Sequence, residues 1–291
     1  MSSIFVFPGQ GSQSVGMGRE LYETNAAARA VFDEVDAALG EKLSELIFNG
    51  PMEDLTMTRN VQPAIMATSI AMLRAANAAL PEYVAGHSLG EYTALCAADA
   101  ISVGDAARLL RARGDAMQAA APAGTGLTAV VIGLDIDVLR QICAGTDADV
   151  ANDNCPGQVV ISGEKGAVES VMAAAREAGA RRAMPLALSV PVHCRMQESA
   201  AQAMRDALEK VEIKTQKAIL IANKTAAPMT DPAEIKEALV YQMTHGVRWR
   251  ESVLKMHELG ITDMIEVGPG NVLTGLAGRI CPDINAKKME I

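Results

Sequence analysis

Aromatic side chains are scarce in this chain: four Phe, four Tyr and one Trp among 291 residues, or 3%. That excludes the stacking platforms on which single-stranded nucleic acids bind. Basic charge is also in deficit. Lys and Arg total 26 against 35 Asp and Glu, a net charge of −9. Such a surface offers no general attraction to a nucleic-acid backbone or an anionic membrane, so neither is expected as a partner. No apolar run approaches the ~20 residues of a membrane span. The opening Met-Ser-Ser-Ile-Phe-Val-Phe-Pro has no positive segment and too short an apolar run for a signal peptide. The five cysteines, Cys96, Cys143, Cys155, Cys194 and Cys281, are odd in number and include no C-x-x-C pair. Neither a disulfide framework nor a zinc ribbon fits, and no metal is expected. Unpaired thiols fit a reducing compartment, and the expected location is the cytoplasm.

Hydrophobic residues make up 49% of the chain, and the length suggests about two domains. Residues 4–7 form a short apolar run that ends at Pro8-Gly9 and read as a buried strand. Helical patterns cover 17–39 and 61–80. Residues 83–87 read as a second strand, 88–98 as a helix directly after it, and 105–119 as another helix. This alternation predicts an α/β fold with a parallel sheet. The best internal linker is Pro122-Ala123-Gly124-Thr125-Gly126. Beyond it the rhythm changes to strand 128–132, helix 136–143, strands 150–152 and 158–162, helix 165–178 and strand 182–188. That β-α-β-β-α-β order is ferredoxin-like. α/β character then returns, with strands near 219–222 and 263–266 and helices at 232–243 and 250–259. Gly268-Pro269-Gly270 opens a last helix. The expected organisation is a large domain of 1–123 and 190–291, with a small domain of 124–189 inserted.

Gly86-His87-Ser88-Leu89-Gly90 matches G-x-S-x-G between a strand and a helix, the setting of a nucleophile elbow. Such a turn lifts the Ser88 hydroxyl above the sheet, at the positive end of the following helix. The Leu89 amide would face a developing oxyanion. The plainer alternative is a Gly-rich turn whose Ser caps a helix. A nucleophilic Ser needs a base. His87 is adjacent to Ser88 on the strand, so period-2 alternation predicts that it points to the opposite face. His257 lies among charged residues and reads as surface. His193, at the return from the inserted segment, is the leading candidate, and His245 is the second. No acidic residue stands out to orient the imidazole; a backbone carbonyl or side-chain amide can do so. Pro8-Gly9-Gln10-Gly11-Ser12-Gln13 lacks the Lys-Ser/Thr of a phosphate loop. It sits where α/β sheets place ligands, and the Gln10 amide could serve an oxyanion there. Arg113 lies on an apolar helix, where a buried guanidinium needs an acidic partner or an anionic ligand. Asn152, Asn154 and Gln158 form an amide-rich stretch that also suits turn chemistry.

Together these stretches resemble the malonyl-CoA:acyl-carrier-protein transacylases. The matching segments are Phe7 to Gln13 with Gly16-Met17-Gly18, Gln62-Pro63-Ala64, Gly86 to Tyr92, and Arg113-Gly114 with Met117-Gln118. Ala151-Asn152 through Gly163, Ser189-Val190-Pro191 with His193-Cys194, Val247-Arg248-Trp249 and Glu266 to Gly270 complete them. They run in the family's order over nearly the whole chain. The resemblance implies an α/β-hydrolase-like large domain with an inserted ferredoxin-like small domain. It implies malonyl transfer from malonyl-CoA to the phosphopantetheine thiol of an acyl carrier protein, supplying fatty-acid synthesis. Related chemistries are polyketide or malonate-decarboxylase transfer and thioester hydrolysis on the same elbow. By resemblance, Ser88 is the nucleophile, His193 the base, and Gln10 with Leu89 the oxyanion hole. Gln242 supplies the carbonyl that orients His193, Arg113 clamps the malonyl carboxylate, and Asn154 and Gln158 line the cleft. No cofactor is implied, and the enzyme is expected to be a monomer. Departures from the family pattern are Val192 before the His, Arg195 two residues after it, and Gly246 before Val-Arg-Trp. Arg181, Arg182, Arg195 and Lys224 are candidates for docking an acidic carrier.

Overall fold

The computed structural model describes residues 2–122 and 124–291; Met1 and the linker residue Ala123 lie outside them. A six-stranded sheet has the order β10-β9-β1-β2-β7-β8. Its strands are β1 (Ser2–Phe7), β2 (Tyr83–Gly86), β7 (Ile219–Ala222), β8 (Ala227–Met229), β9 (Ile261–Glu266) and β10 (Asn285–Lys288). All pairings are parallel except β7 with β8. Helices cover both faces, and β1 shows why. Phe5 and Phe7 pack into one apolar cluster, while Ile4 and Val6 pack into a second on the opposite face. A strand buried on both sides reads as a continuous apolar run, as Ile4 to Phe7 does.

The second sheet has four strands: β3 (Gly126–Ile132), β4 (Ala148–Cys155), β5 (Gln158–Glu164) and β6 (Arg182–Pro185). Its order is β4-β5-β3-β6 and every pairing is antiparallel. With helices Ile136–Cys143 and Lys165–Glu177 this is the ferredoxin-like arrangement. Ala129, Val131 and Ile161 pack beneath those helices. Val130 and Val160, on the other face, join the large apolar cluster. The small sheet is also stitched by backbone to the loop before helix Trp249–Glu258: Val247 N–H donates to the Ala151 carbonyl and Asp153 N–H to the Val247 carbonyl, both at 2.9 Å. Arg250 adds an ion pair to buried Asp153.

The pattern over 17–39 resolves into two helices, Arg19–Thr24 and Ala26–Leu39. Asn25 separates them, and its side chain caps the second by accepting from the Ala27 and Ala28 N–H groups. Helix Glu198–Glu209 was not anticipated, although Ala201, Met204 and Leu208 mark its buried face. Edge strands β8 and β10 and helices Leu43–Asn49 and Met52–Thr56 were also unanticipated. Among the described residues, no helix is long and apolar enough to cross a membrane.

Two helices carry side chains into the site: Thr58–Ala76, with Gln62, and Val103–Ala120, with Arg113. They meet at Gly114, where a Cβ would stand 2.4 Å from Arg59 Cα. Gly114→Ala should therefore destabilise by about 1–3 kcal/mol, the range for overpacking. Denaturant unfolding checks this, and an unchanged midpoint would contradict the close approach.

Candidate active site

The elbow forms because β1 and β2 end side by side, with Phe7 opposite Gly86. The Phe7 carbonyl accepts from His87 N–H at 3.0 Å, which brings Pro8-Gly9-Gln10 beside the turn. Gly90 then begins a helix so close to β1 that a Cβ would lie 2.2 Å from the Phe7 oxygen. Between them Ser88 has φ +55°, a left-handed conformation that is strained for a residue with a Cβ. His193 is held at φ +53° as well. Both members of the pair are thus fixed by their surroundings.

Ser88 Oγ lies 2.8 Å from His193 Nε2. His193 Nδ1 lies 2.5 Å from the Gln242 carbonyl, which can only accept. The Nδ1–H tautomer follows, with a free lone pair on Nε2 facing the serine hydroxyl. His193 is only 3% exposed. Burial, helped by the Arg113 charge, holds its pKa down to about 3. The imidazole therefore remains a neutral base at physiological pH. The small sheet helps to place it, since Ser162 Oγ on β5 accepts from Val192 N–H at 2.8 Å.

Arg113 is 1% exposed and, among the described residues, meets no carboxylate directly. Nη1 donates to Gln62 Oε1 at 2.6 Å; Nη2 donates to Gln242 Oε1 at 2.9 Å and to Ser88 Oγ at 3.1 Å. A cavity of about 440 Å³ opens over these groups. Gln10, His87, Ser88, Leu89, Arg113, Asn152, Asn154 and His193 line it, with Met117, Val160, Leu186, Leu188 and Val192 forming an apolar wall. The Gln10 side-chain nitrogen is buried there without a partner among the described residues. The site thus combines a serine hydroxyl, a neutral imidazole, amide donors and a fixed cation.

The structure brings Ser88, His193, Gln10, Leu89, Arg113 and Asn154 to one cavity, with Gln242 directly behind it. Gln158 is a correction: it lies outside the lining. As first residue of β5 it turns to the helix Val272–Ile280, where Arg279 donates to its Oε1 at 2.5 Å. His87 is a second correction, because it faces the same cavity as Ser88. Alternation stops where β2 ends at Gly86, and the left-handed Ser88 brings both side chains round. The His87 ring meets Asn154 Oδ1 at 3.0 Å. Arg195, one of the candidates for carrier docking, is exposed and paired with Asp149 through two side-chain contacts at 2.6 and 3.1 Å. His245 is exposed and stacked on Tyr241. The fold also gathers His257, Cys281 and Asp283 with ligand atoms within 4.8 Å, a grouping that chain spacing conceals. Two of the three are exposed, and none lines the cavity.

Three buried site residues were not identified from the sequence: Gln62, Glu91 and Asn223. Glu91 is fully buried, and burial raises its pKa to about 7. It follows the elbow by three positions, so the clue was the acid in Gly-His-Ser-Leu-Gly-Glu itself. Asn223, just beyond β7, has no local clue.

Comparison with known proteins gives a consistent result. The acyl transferase domain family matches residues 4–280. The malonyl CoA-acyl carrier protein transacylase of Bacillus subtilis is 46% identical over 288 residues, 96% of this chain and 91% of that protein. The Escherichia coli K12 protein of the same name is 41% identical over 293 residues, 98% and 95% of the two chains. Among solved structures, the acyl-carrier-protein S-malonyltransferase of Bartonella henselae matches with a TM-score of 0.96 at 48% identity, covering 99% and 95%. A malonyl-transacylase in complex with a type II PKS acyl-carrier protein also scores 0.96, at 40% identity and 99% and 96% coverage.

The low His193 pKa has a consequence for stability. The unfolded imidazole takes its proton near 6.5, whereas the folded one resists protonation down to about 3. Stability must therefore fall as pH drops through that window. His193→Gln removes the titration, so its unfolding free energy should fall less steeply below pH 6.5 than the wild type's. Equal slopes in denaturant unfolding would contradict a buried neutral His193.

Proposed function

Because this chain belongs to the acyl transferase domain family, alongside full-length malonyl CoA-acyl carrier protein transacylases, we propose that it transfers malonyl groups from malonyl-CoA to an acyl carrier protein. The reaction proceeds through an ester on Ser88 and supplies extender units for fatty-acid synthesis. The carrying observation is Arg113 Nη2, 3.1 Å from Ser88 Oγ. A cation that close suits an acyl group whose carboxylate is one methylene from the reacting carbonyl, which describes malonyl.

His193 Nε2 takes the Ser88 proton as Oγ attacks the thioester carbonyl. The oxyanion accepts from Leu89 N–H and the Gln10 amide. Its collapse expels the CoA thiolate, which recovers the proton from His193. The phosphopantetheine thiol then gives its proton to His193 and attacks the ester; Ser88 leaves and is reprotonated. The Arg113 fork holds the carboxylate through both halves. Oxyanion donors of this kind contribute about 10²–10³ in rate each. Asn154 steadies His87 in the cleft wall. Residues 124–189 act as a small domain that closes the cavity over the large one, which the self-contained four-stranded sheet supports. Five buried free thiols support a reducing, cytoplasmic setting. Arg181 and Arg182 are exposed at the start of β6, whose continuation through Leu186 and Leu188 enters the cavity wall, so they suit an acidic carrier.

Intact-protein mass spectrometry after malonyl-CoA, without carrier protein, tests the reading. A malonyl-sized adduct is expected on the wild type and not on Ser88→Ala. Steady CoA release without an adduct would point to hydrolysis. Arg113→Ala should lose malonyl loading by at least about 100-fold more than acetyl loading, in line with loss of a buried charge-assisted pair. Equal losses would remove the clamp. Arg181→Glu with Arg182→Glu should raise KM for the carrier and spare adduct formation; an unchanged KM would discard that docking site.

A further inference from the structure

Behind the catalytic cavity lies a closed set of hydrogen bonds centred on Glu91. One of its carboxylate oxygens accepts from Asn223 N–H at 2.6 Å, and the other accepts from Gln242 Nε2. Asn223 grips the elbow on both sides. Its Oδ1 accepts from Ser88 N–H at 2.9 Å and its Nδ2 donates to the Gly86 carbonyl at 2.6 Å. Glu91, Asn223 and Gln242 are each no more than 2% exposed. None of the three touches a reacting atom through its side chain.

The donor and acceptor logic gives this arrangement a direction. Above its raised pKa of about 7 the Glu91 carboxylate is ionised and has acceptors only. Facing it, the Gln242 amide must turn its NH₂ toward Glu91, which leaves Oε1 for Arg113. With the amide reversed, its NH₂ would face the guanidinium, donor against donor. One carboxylate thus decides which atom Gln242 offers to Arg113, whose other terminal nitrogen is held by Gln62, and the main-chain carbonyl of Gln242 holds His193.

We propose that Glu91 is a positioning residue that fixes the amide orientation of Gln242 and, through Asn223, the Ser88 turn. It thereby aligns nucleophile, base and arginine together. The inference rests on reading Ser88 as the nucleophile. It goes beyond that reading by assigning a role to a buried acid outside the chemistry.

The test is the rate at which a fluorophosphonate labels Ser88, a readout that needs no knowledge of the acyl donor, with kcat and KM for malonyl-CoA measured beside it. Glu91→Gln keeps the shape and adds a donor opposite Gln242. Labelling and kcat should fall by about 10- to 100-fold, the scale of a misplacement near 1 Å. KM should shift far less. The exchange Glu91→Gln with Gln242→Glu restores the order of donors and acceptors. It should restore labelling to within about threefold of the wild type, while a carboxylate set permanently on Arg113 raises KM for malonyl-CoA. If Glu91→Gln labels at the wild-type rate, or the exchange rescues nothing, the proposal is wrong. Should Glu91→Gln not fold, Asn223→Asp reads the network from its other arm by placing an acceptor against the Gly86 carbonyl. Slowed labelling there supports the role, and wild-type labelling overturns it. A wild-type Ser88 that does not label at all removes the nucleophile and this inference with it, whereas labelling that is fast in every variant removes the inference alone.

Discussion

A hydrogen bond between His193 Nδ1 and the Gln242 carbonyl is the contact on which the rest of the site depends. It selects one tautomer and aims the Nε2 lone pair at Ser88. A carbonyl suffices because the ring is buried and kept neutral; no carboxylate is needed to draw a proton onto it. The bond joins distant parts of the chain. His193 lies where the chain returns from the small sheet, and Gln242 ends the helix Pro232–Tyr241. The backbone stitch at Val247 and the Ser162 bond to Val192 keep those parts in register. Packing of the two sheets is thus converted into an angle at one imidazole.

The second constraint is charge. A guanidinium buried as deeply as Arg113 is costly unless its donors are met. Here amide oxygens of Gln62 and Gln242 meet donors on Nη1 and Nη2, Nε finds no partner among the described residues, and the Glu91 carboxylate stands one residue removed. An arginine paired directly with a carboxylate would have little left for an anionic substrate. Amide partners hold its geometry and leave its charge available. The same charge, beside Ser88 Oγ, opposes protonation of His193. On the proposed function, binding of a carboxylated acyl group and readiness of the base therefore share one cation.

Much of this was legible in the chain. The elbow was readable because its signal is local: a strand, two glycines and a serine within five positions. His193 could be singled out by its place where the chain returns from the small sheet, although the chain alone left His245 in contention. Arg113 and Gln242 acquired roles only through resemblance, because their partners lie 129 residues apart in sequence. Glu91 and Asn223 escaped for the same reason, their bond spanning 132 residues. Gln158 misled because an amide in a turn looks the same whether it faces a cleft or a neighbouring helix. In the fold, β10 was invisible. Its sequence, Asn-Ala-Lys-Lys, carries no apolar alternation, and the strand exists through backbone pairing with β9 at a sheet edge. The Asn25 break was hidden because apolar periodicity continues across it while the side chain starts a new helix.

The most direct test of the central claim is ¹⁵N NMR of the His193 ring across about pH 5 to 8, the range in which an ordinary histidine titrates. A neutral imidazole, protonated at Nδ1 and bare at Nε2, with shifts that stay constant throughout, is what a carbonyl-held buried base requires. A ring that titrates near the usual histidine value, or carries its proton on Nε2, would contradict the account.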